Sequence, residues 1–164
     1  MRALGHLVGA HASLTRQLSS RLVEEHGLTM SEYEVLWLLS REPDHATRRI
    51  DLSREVRLSP SGITRMLDRL EATGLVEKGS CESDARVTYA VLTEAGMQKL
   101  RECSPDHFAA IERLIGERLS EEDVESLGEL LGRLSDLDGD CHVANLLNED
   151  VPSVASGAAH RGRA

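Results

Sequence analysis

Aromatic residues are nearly absent from this chain. One Trp, two Tyr and one Phe make up 2% of its 164 residues. A core must therefore be filled by Leu, Val, Ile, Ala and Met, which suits helix packing better than a β-sandwich. Cysteine is also sparse. Cys81, Cys103 and Cys141 are odd in number, far apart and form no CxxC pair, which argues against a disulfide framework or a zinc-finger site. They read as free thiols in a reducing cytosol. No apolar run approaches the roughly 20 residues that a membrane span needs. The N-terminus alternates Leu with His, Gly, Ser and Arg rather than forming a signal peptide, so the chain is expected in the cytoplasm, away from membranes. A glycine-rich phosphate loop, a nucleophile with a positioned base and a recognisable carboxylate pair are all missing, so the chain does not read as an enzyme and no cofactor is expected. Lysine occurs only at Lys78 and Lys99 among nineteen basic residues. A genome-wide coding bias produces the same preference, so arginine richness by itself carries no function.

Net positive charge is missing too. The total is −9, and a uniform charge of that sign would repel phosphates. The distribution is uneven. Between Arg48 and Arg69 lie six arginines (48, 49, 54, 57, 65 and 69) against Asp51, Glu55 and Asp68, a local +3 that leaves −12 for the rest.

What is present is helical periodicity. Hydrophobic residues are 40% of the chain, enough for a globular core. Leu4, Leu7, Val8, His11, Leu14, Leu18 and Leu22 follow three-to-four spacing, an amphipathic first helix. Thr29-Met30-Ser31-Glu32 is a capping-box pattern, and Tyr33, Leu36, Trp37 and Leu39 follow as one apolar side of a second helix that Pro43 ends. Arg48-Arg49-Ile50 suits a very short strand. Asp51 to Val56 suits a short third helix with Leu52 and Val56 inward. Ser59-Pro60 is a strong helix start, because Ser caps free N–H groups and Pro is preorganised for the first helical position. Ile63, Met66 or Leu67, and Leu70 face inward, and Gly74 stops this fourth helix in a left-handed conformation. Leu75–Lys78 and Val87–Leu92 read as a hairpin. Thr93 caps a fifth helix carrying Met97, Leu100, Phe108, Ile111, Leu114 and Ile115, which Ser104-Pro105 should break or kink. Ser120-Glu121-Glu122-Asp123 opens a sixth with Val124, Leu127, Leu130, Leu131, Leu134 and Leu137. From about Asp150 the chain is small, polar and unpatterned, a disordered tail.

This order places a helix-turn-helix in the middle. Its second helix, Pro60 to Thr73, would turn Ser61, Gly62, Thr64, Arg65 and Asp68 or Arg69 outward, toward the major groove of duplex DNA. Small residues at 61 and 62 would let the backbone approach the duplex. Arg65 has the reach for guanine O6 and N7, worth about 1–3 kcal/mol of discrimination. Ser59, Ser61 and Thr64 suit phosphate or base contacts, and the helix N-terminus attracts a phosphate. Arg48, Arg49, Arg54 and Arg57 suit phosphates. Arg86, after the polar loop, could enter a narrow minor groove, with Asp84 fixing its direction. The same pattern also serves protein contacts, with Arg65 and Arg69 paired to Asp68 or Glu71 on a solvated face. The apolar stripes of the first and last two helices need a partner, which a second copy of the chain would supply around a two-fold axis.

Several ordered motifs resemble the MarR family of bacterial winged-helix regulators. They are Leu28-Thr29, Leu58-Ser59-Pro60-Ser61-Gly62-Ile63-Thr64-Arg65 with Leu70-Glu71, Gly74-Leu75-Val76, Ser83-Asp84-Ala85-Arg86 and Leu92-Thr93-Glu94-Ala95-Gly96, spanning about residues 28 to 100. The resemblance implies a mainly α fold with a small β-hairpin wing, an α+β winged helix-turn-helix core between N- and C-terminal dimerisation helices. It divides the chain into a dimerisation helix (1–28), a DNA-binding lobe (29–96), C-terminal dimerisation helices (97–149) and the tail (150–164). It also implies a homodimeric repressor on a pseudo-palindromic double-stranded operator, with Ser59 to Arg69 as recognition helix and Asp84 and Arg86 in the wing. Cys81-Glu82 departs from the basic approach expected of a wing. Many members release DNA on binding small phenolic or anionic molecules. His11, Arg16, Tyr33, Trp37 and His26 are the candidates to line such an effector pocket here, although Tyr33 and Trp37 suit the core better and His11 a dimer interface. Some relatives sense peroxides through a first-helix cysteine, which this chain lacks. An adduct on Cys81 remains an alternative thiol switch. His107 with Glu112, and Glu24 with His26, are too scattered to assign a metal site.

Overall fold

The computed structural model describes residues 2–80 and 87–135. In chain order it runs α1 (Arg2–Arg21), a π-turn (Leu22–His26), α2 (Met30–Arg41), a single 3-10 turn (Pro43–His45), β1 (Ala46–Arg48), α3 (Arg49–Glu55), α4 (Pro60–Ala72), β2 (Val76–Ser80), β3 (Thr88–Leu92), α5 (Glu94–Gly116) and α6 (Glu121–Ser135). The class is the expected one, mostly helical with a small antiparallel sheet. The proposed wing tip, with Cys81, Glu82, Asp84 and Arg86, lies outside the described residues, as do Leu137, Cys141 and the tail from residue 150.

The second helix forms because its first turn is closed chemically. Gly27, at φ 70°, ends the π-turn. Thr29 then accepts from the Glu32 N–H at 3.4 Å, while the Thr29 N–H donates to Glu32 Oε2 at 2.8 Å. This reciprocal box satisfies two donors that a helix start leaves open. The helix that follows is buried nearly all round. Val35 and Leu38 are as enclosed as the expected Tyr33, Leu36, Trp37 and Leu39. It contacts α1, α5 and β3, and only Met30, Ser31, Glu34 and Arg41 stay half-buried.

The sheet has strand order β1-β3-β2, both pairings antiparallel. Ala46 faces Val91 and Arg48 faces Tyr89, while Val76 faces Leu92 and Ser80 faces Thr88. The short strand expected at Arg48-Arg49-Ile50 exists but sits earlier. Its ladder ends at the Arg48–Tyr89 pair, and Arg49 and Ile50 belong to the first turn of α3. β-branched Ile50 favours a strand locally, yet it is exposed and has no third partner to pair with. Asp51 in that first turn suits the positive helix end instead.

A tight connection joins α3 to α4. Arg57 takes φ 52°, and the Leu58 N–H reaches back to Ser53 O at 3.0 Å. Ser59 caps α4, accepting from the Gly62 N–H at 3.1 Å. At the far end Gly74 adopts φ 72°, and the Leu75 N–H reaches Leu70 O at 2.9 Å. This is the expected left-handed stop. Thr93 ties the start of α5 to that stop: its hydroxyl donates to Gly74 O at 2.7 Å and accepts from the Gly96 N–H at 3.0 Å.

Pro105 does not break α5, which runs continuously from Glu94 to Gly116. Proline removes one N–H and crowds one carbonyl. Against that cost stand Leu100, Cys103, Ser104, His107, Ala110 and Leu114, all buried on one face. The Ser104 hydroxyl also donates to Leu100 O at 2.7 Å. Tertiary packing therefore outweighs the local penalty. Two apolar stripes stay uncovered. Leu4, Leu7 and Val8 on α1, and Val124, Leu127, Leu130, Leu131 and Leu134 on α6, are exposed.

Helix α5 approaches the backbone before β2 at Gly96. A Cβ there would stand 2.1 Å from Leu75 O and 2.6 Å from Leu92 Cδ1. Gly96→Ala is therefore expected to destabilise the protein by about 3 kcal/mol, because backbone must move. Urea denaturation checks this, and an unchanged midpoint would mean that α5 is not seated against Leu75.

Candidate nucleic-acid interface

Helix α4 has two faces. Ile63, Met66, Leu67 and Leu70 are buried, so both of the alternatives Met66 and Leu67 turn inward. Ser61, Thr64, Arg65, Asp68 and Arg69 are exposed. Gly62 differs from the expectation. It is half-buried, and a Cβ added to it would lie 3.2 Å from Ser59 Oγ and 3.6 Å from Leu58 Cβ. Its small size serves the cap and the preceding turn rather than an outward approach. Ser59 Oγ lies 3.2 Å from Ser61 Oγ, and the Thr64 hydroxyl donates to Pro60 O at 2.8 Å. The helix thus opens with a positive end edged by three hydroxyls.

The arginines differ in what holds them. Arg69 is held from the interior side: its Nε donates to Glu32 Oε1, and its Nη2 lies 3.4 Å from Thr29 Oγ1. Arg49 pairs with Glu71 and is largely buried, tying α3 to α4. Arg48 and Arg54 share Asp51, at 2.6 and 3.4 Å, in exposed pairs. Such pairs are worth about 0–1 kcal/mol, so they exchange readily for another anion. Arg65 has no acidic partner among the described residues. The pairing to Asp68 or Glu71 considered for Arg65 and Arg69 is not adopted by either. Arg57 is exposed in the turn, and its charge acts on Glu34. A cleft of about 350 Å³ between the starts of α3, α4 and β3 brings Arg48, Arg49, Pro60, Thr64 and Thr88 together.

A second cavity, of about 330 Å³, lies where α1, α2 and α5 meet. Three helical faces line it, each at helical spacing: His11, Leu14, Thr15 and Leu18; Met30, Tyr33, Glu34 and Trp37; His107, Phe108 and Ile111. Of the five candidates for an effector pocket it gathers His11, Tyr33 and Trp37. Arg16 is exposed and does not line it. His26 instead brings Nε2 to 3.2 Å from Asp106 on α5, without hydrogen-bond geometry. With Glu25 these two bring possible ligand atoms within 4.8 Å, a grouping different from Glu24–His26 or His107–Glu112. Tyr33 lies 4.5 Å from His107 between ring centres, and Trp37 meets Phe108 edge-on at 5.6 Å. The Tyr33 hydroxyl bonds to Ser104 at 3.2 Å, and burial pushes its pKa up to about 12. Burial lowers His107, which therefore stays neutral at pH 7. Glu34 lines it although the sequence pattern assigned it no role, and His107 and Phe108, considered only for a metal and as an apolar position of α5, line it as well. The spacing Met30–Tyr33–Glu34–Trp37 was the available signal for Glu34. Cys103 is fully enclosed, and burial pushes its thiol up to about 11, so it is unreactive at neutral pH.

Comparison with known proteins gives consistent results. Residues 28–88 match the model of the MarR family. The HTH-type transcriptional regulator MhqR of Bacillus subtilis (strain 168) is 37% identical over 112 residues, covering 68% of this chain and 75% of that protein. The crystal structure of AbsC, a MarR family transcriptional regulator from Streptomyces coelicolor, is similar with a TM-score of 0.74 at 34% identity, covering 84% of this chain and 93% of AbsC. Sco3205 from the same organism, a MarR family regulator crystallised in complex with DNA, gives a TM-score of 0.76 at 26% identity, covering 85% and 88%.

The two outward arginines of α4 should separate in stability measurements. Arg69→Ala leaves the buried Glu32 carboxylate without its cation and is expected to cost about 2 kcal/mol, after allowance for the solvent exposure of Arg69. Arg65→Ala is expected within about 0.5 kcal/mol of the parent. Equal losses in urea unfolding would contradict the division.

Proposed function

The chain belongs to the MarR family of transcriptional regulators, and from that premise we propose that it is a homodimeric, sequence-specific repressor acting at a pseudo-palindromic operator and released by a small molecule. The observation that carries this reading is the outer face of α4. An uncommitted Arg65 sits there beside a helix start edged by Ser59, Ser61 and Thr64. Helix N-termini and hydroxyls position phosphates, while an arginine reads guanine in the major groove. Arg48 and Arg54, held only by a shared Asp51, supply phosphate contacts at the flank. Arg57 does the same from the turn, and Arg49 at the cleft. Arg69, although exposed, contributes mainly by fixing α4 to α2. Asp84 and Arg86 complete the contact from the wing, in the minor groove.

The dimer is supported by the uncovered stripes of α1 and α6. A second copy would bury them, and two-fold pairing sets two recognition helices on successive turns of the duplex. On this reading residues 1–28 and 97–149 form the dimer, and 29–96 form the DNA-binding lobe. The cavity between α1, α2 and α5 spans both regions, so an occupant there would act on the spacing of the two lobes.

A gel-shift with the chain's own upstream region tests the reading, and binding no tighter than to random duplex would sink it. Arg65→Ala should lower the specific-to-random ratio about tenfold or more. Arg48→Ala and Arg54→Ala should weaken both duplexes alike and flatten the salt dependence by about one unit each. Affinity indifferent to salt would instead favour a winged helix that contacts protein.

A further inference from the structure

We propose that the cavity between α1, α2 and α5 selects a compact aromatic cation, with the Glu34 carboxylate as its counter-charge, rather than an aromatic acid. This rests on the effector reading above and narrows it to one class of molecule. The cavity walls are rings and aliphatic side chains: Tyr33, Trp37, His107 and Phe108 with Leu14, Leu18 and others. Among the described residues no lysine or arginine belongs to the lining. Arg16, a candidate to receive an acid, stands outside it, and His11 is the one basic side chain besides His107 in the described lining. At neutral pH His107 is uncharged, because burial lowers its pKa. Tyr33 is likewise neutral and already bonded to Ser104. Among the described residues Glu34 is the only acid in the wall.

The charge balance follows from these facts. An anionic ligand would enter a largely apolar space whose described lining holds one carboxylate, with His11 across from it on α1 and the charge of Arg57 reaching the carboxylate from outside the lining, so both desolvation and the nearer like charge oppose it. A cation meets the reverse situation. It finds one carboxylate and several electron-rich ring faces, the combination that binds organic ammonium groups. Trp37 already accepts one cation in this way, with the Arg41 guanidinium 5.8 Å from its ring centre. The volume of about 330 Å³ is at the small end for ligand sites, and suits a single ring with a short ammonium arm.

The same carboxylate connects the cavity to the DNA-facing lobe. Burial raises the Glu34 carboxyl, and the positive charge of Arg57 works against that rise. Arg57 stands in the turn that delivers Ser59 and the start of α4, and it holds a left-handed backbone there. A cation captured by Glu34 would share the charge that now serves Arg57, which lets occupancy reach the turn before the recognition helix.

Trp37 is the single tryptophan of the chain, so intrinsic fluorescence reports on the cavity without any DNA. The full-length protein would be titrated with benzyltrimethylammonium, benzyl alcohol and phenylacetate. The expected result is a cation affinity about tenfold or more above that of phenylacetate. Glu34→Gln should remove that preference and leave benzyl alcohol binding unchanged, while Glu34→Asp, which keeps the charge, should retain it. Circular dichroism checks the fold of both variants. Phenylacetate binding as tightly as the cation overturns the inference, as does a preference that survives in Glu34→Gln. Equal binding of all three probes overturns the charge selection while leaving an effector cavity. Silence of Trp37 toward all three overturns both.

Discussion

Glu32 is the residue on which the arrangement depends. It is 2% exposed, yet one oxygen closes the first turn of α2 by accepting from the Thr29 backbone and hydroxyl, and the other accepts from Arg69 on α4. A buried carboxylate is tolerated only when its acceptors are filled and its charge is met. Here the two demands are met by different parts of the chain. Satisfying Glu32 therefore fixes the orientation of α4 relative to the most deeply buried helix of the fold. Moving either helix would leave an unpaired charge in the interior, which costs several times what a surface contact is worth, about 3–5 kcal/mol for such a pair when fully buried.

Further ties act with it. Arg49 and Glu71 join α3 to α4, and Thr93 joins the C-terminal stop of α4 to α5. Between them the last turn of the exposed helix and its stop are held to α2, α3 and α5. Its outer side then carries Ser61, Thr64, Arg65 and Asp68, whose only bonds among the described residues are local ones within the helix start. That separation is what a reading head requires: rigid support on one side and uncommitted polar groups on the other. It also bears on the acidic total charge, because Arg65, with Arg48 and Arg54 in exposed pairs beside it, gathers positive charge along this face and its flank.

The elements were legible where local chemistry and packing agree. The Thr29–Glu32 box, the Ser59-Pro60 start, the Gly74 stop and the Thr93 cap all occur as the sequence pattern indicates. Where the two disagree, packing decides. Pro105 should interrupt α5, but six buried neighbours on one face keep the helix whole. Ile50 favours a strand, but the sheet ends at Arg48 and offers it no partner. Gly62 looks like room for DNA, but the space beside it is taken by Leu58 and Ser59. The cavity was half legible. His11, Tyr33 and Trp37 lie on periodic faces, whereas Arg16 and His26 lie close in sequence but point to solvent and to Asp106.

The sequence alone determined the helix starts and stops, the positions of the apolar faces and the motifs that mark a MarR-type chain. Those are short-range properties, set by hydrogen bonds within a turn and by side-chain spacing of three to four residues. Only the tertiary structure decided which arginines are occupied and which are available, and that Glu34 is the acid in an aromatic cavity. Both outcomes depend on groups distant in sequence: Arg69 meets Glu32, Arg49 meets Glu71, and the faces of α1, α2 and α5 close around one space. Identical arginines are equivalent in a list of residues. They become different only when the fold supplies an acid to some of them and solvent to the others.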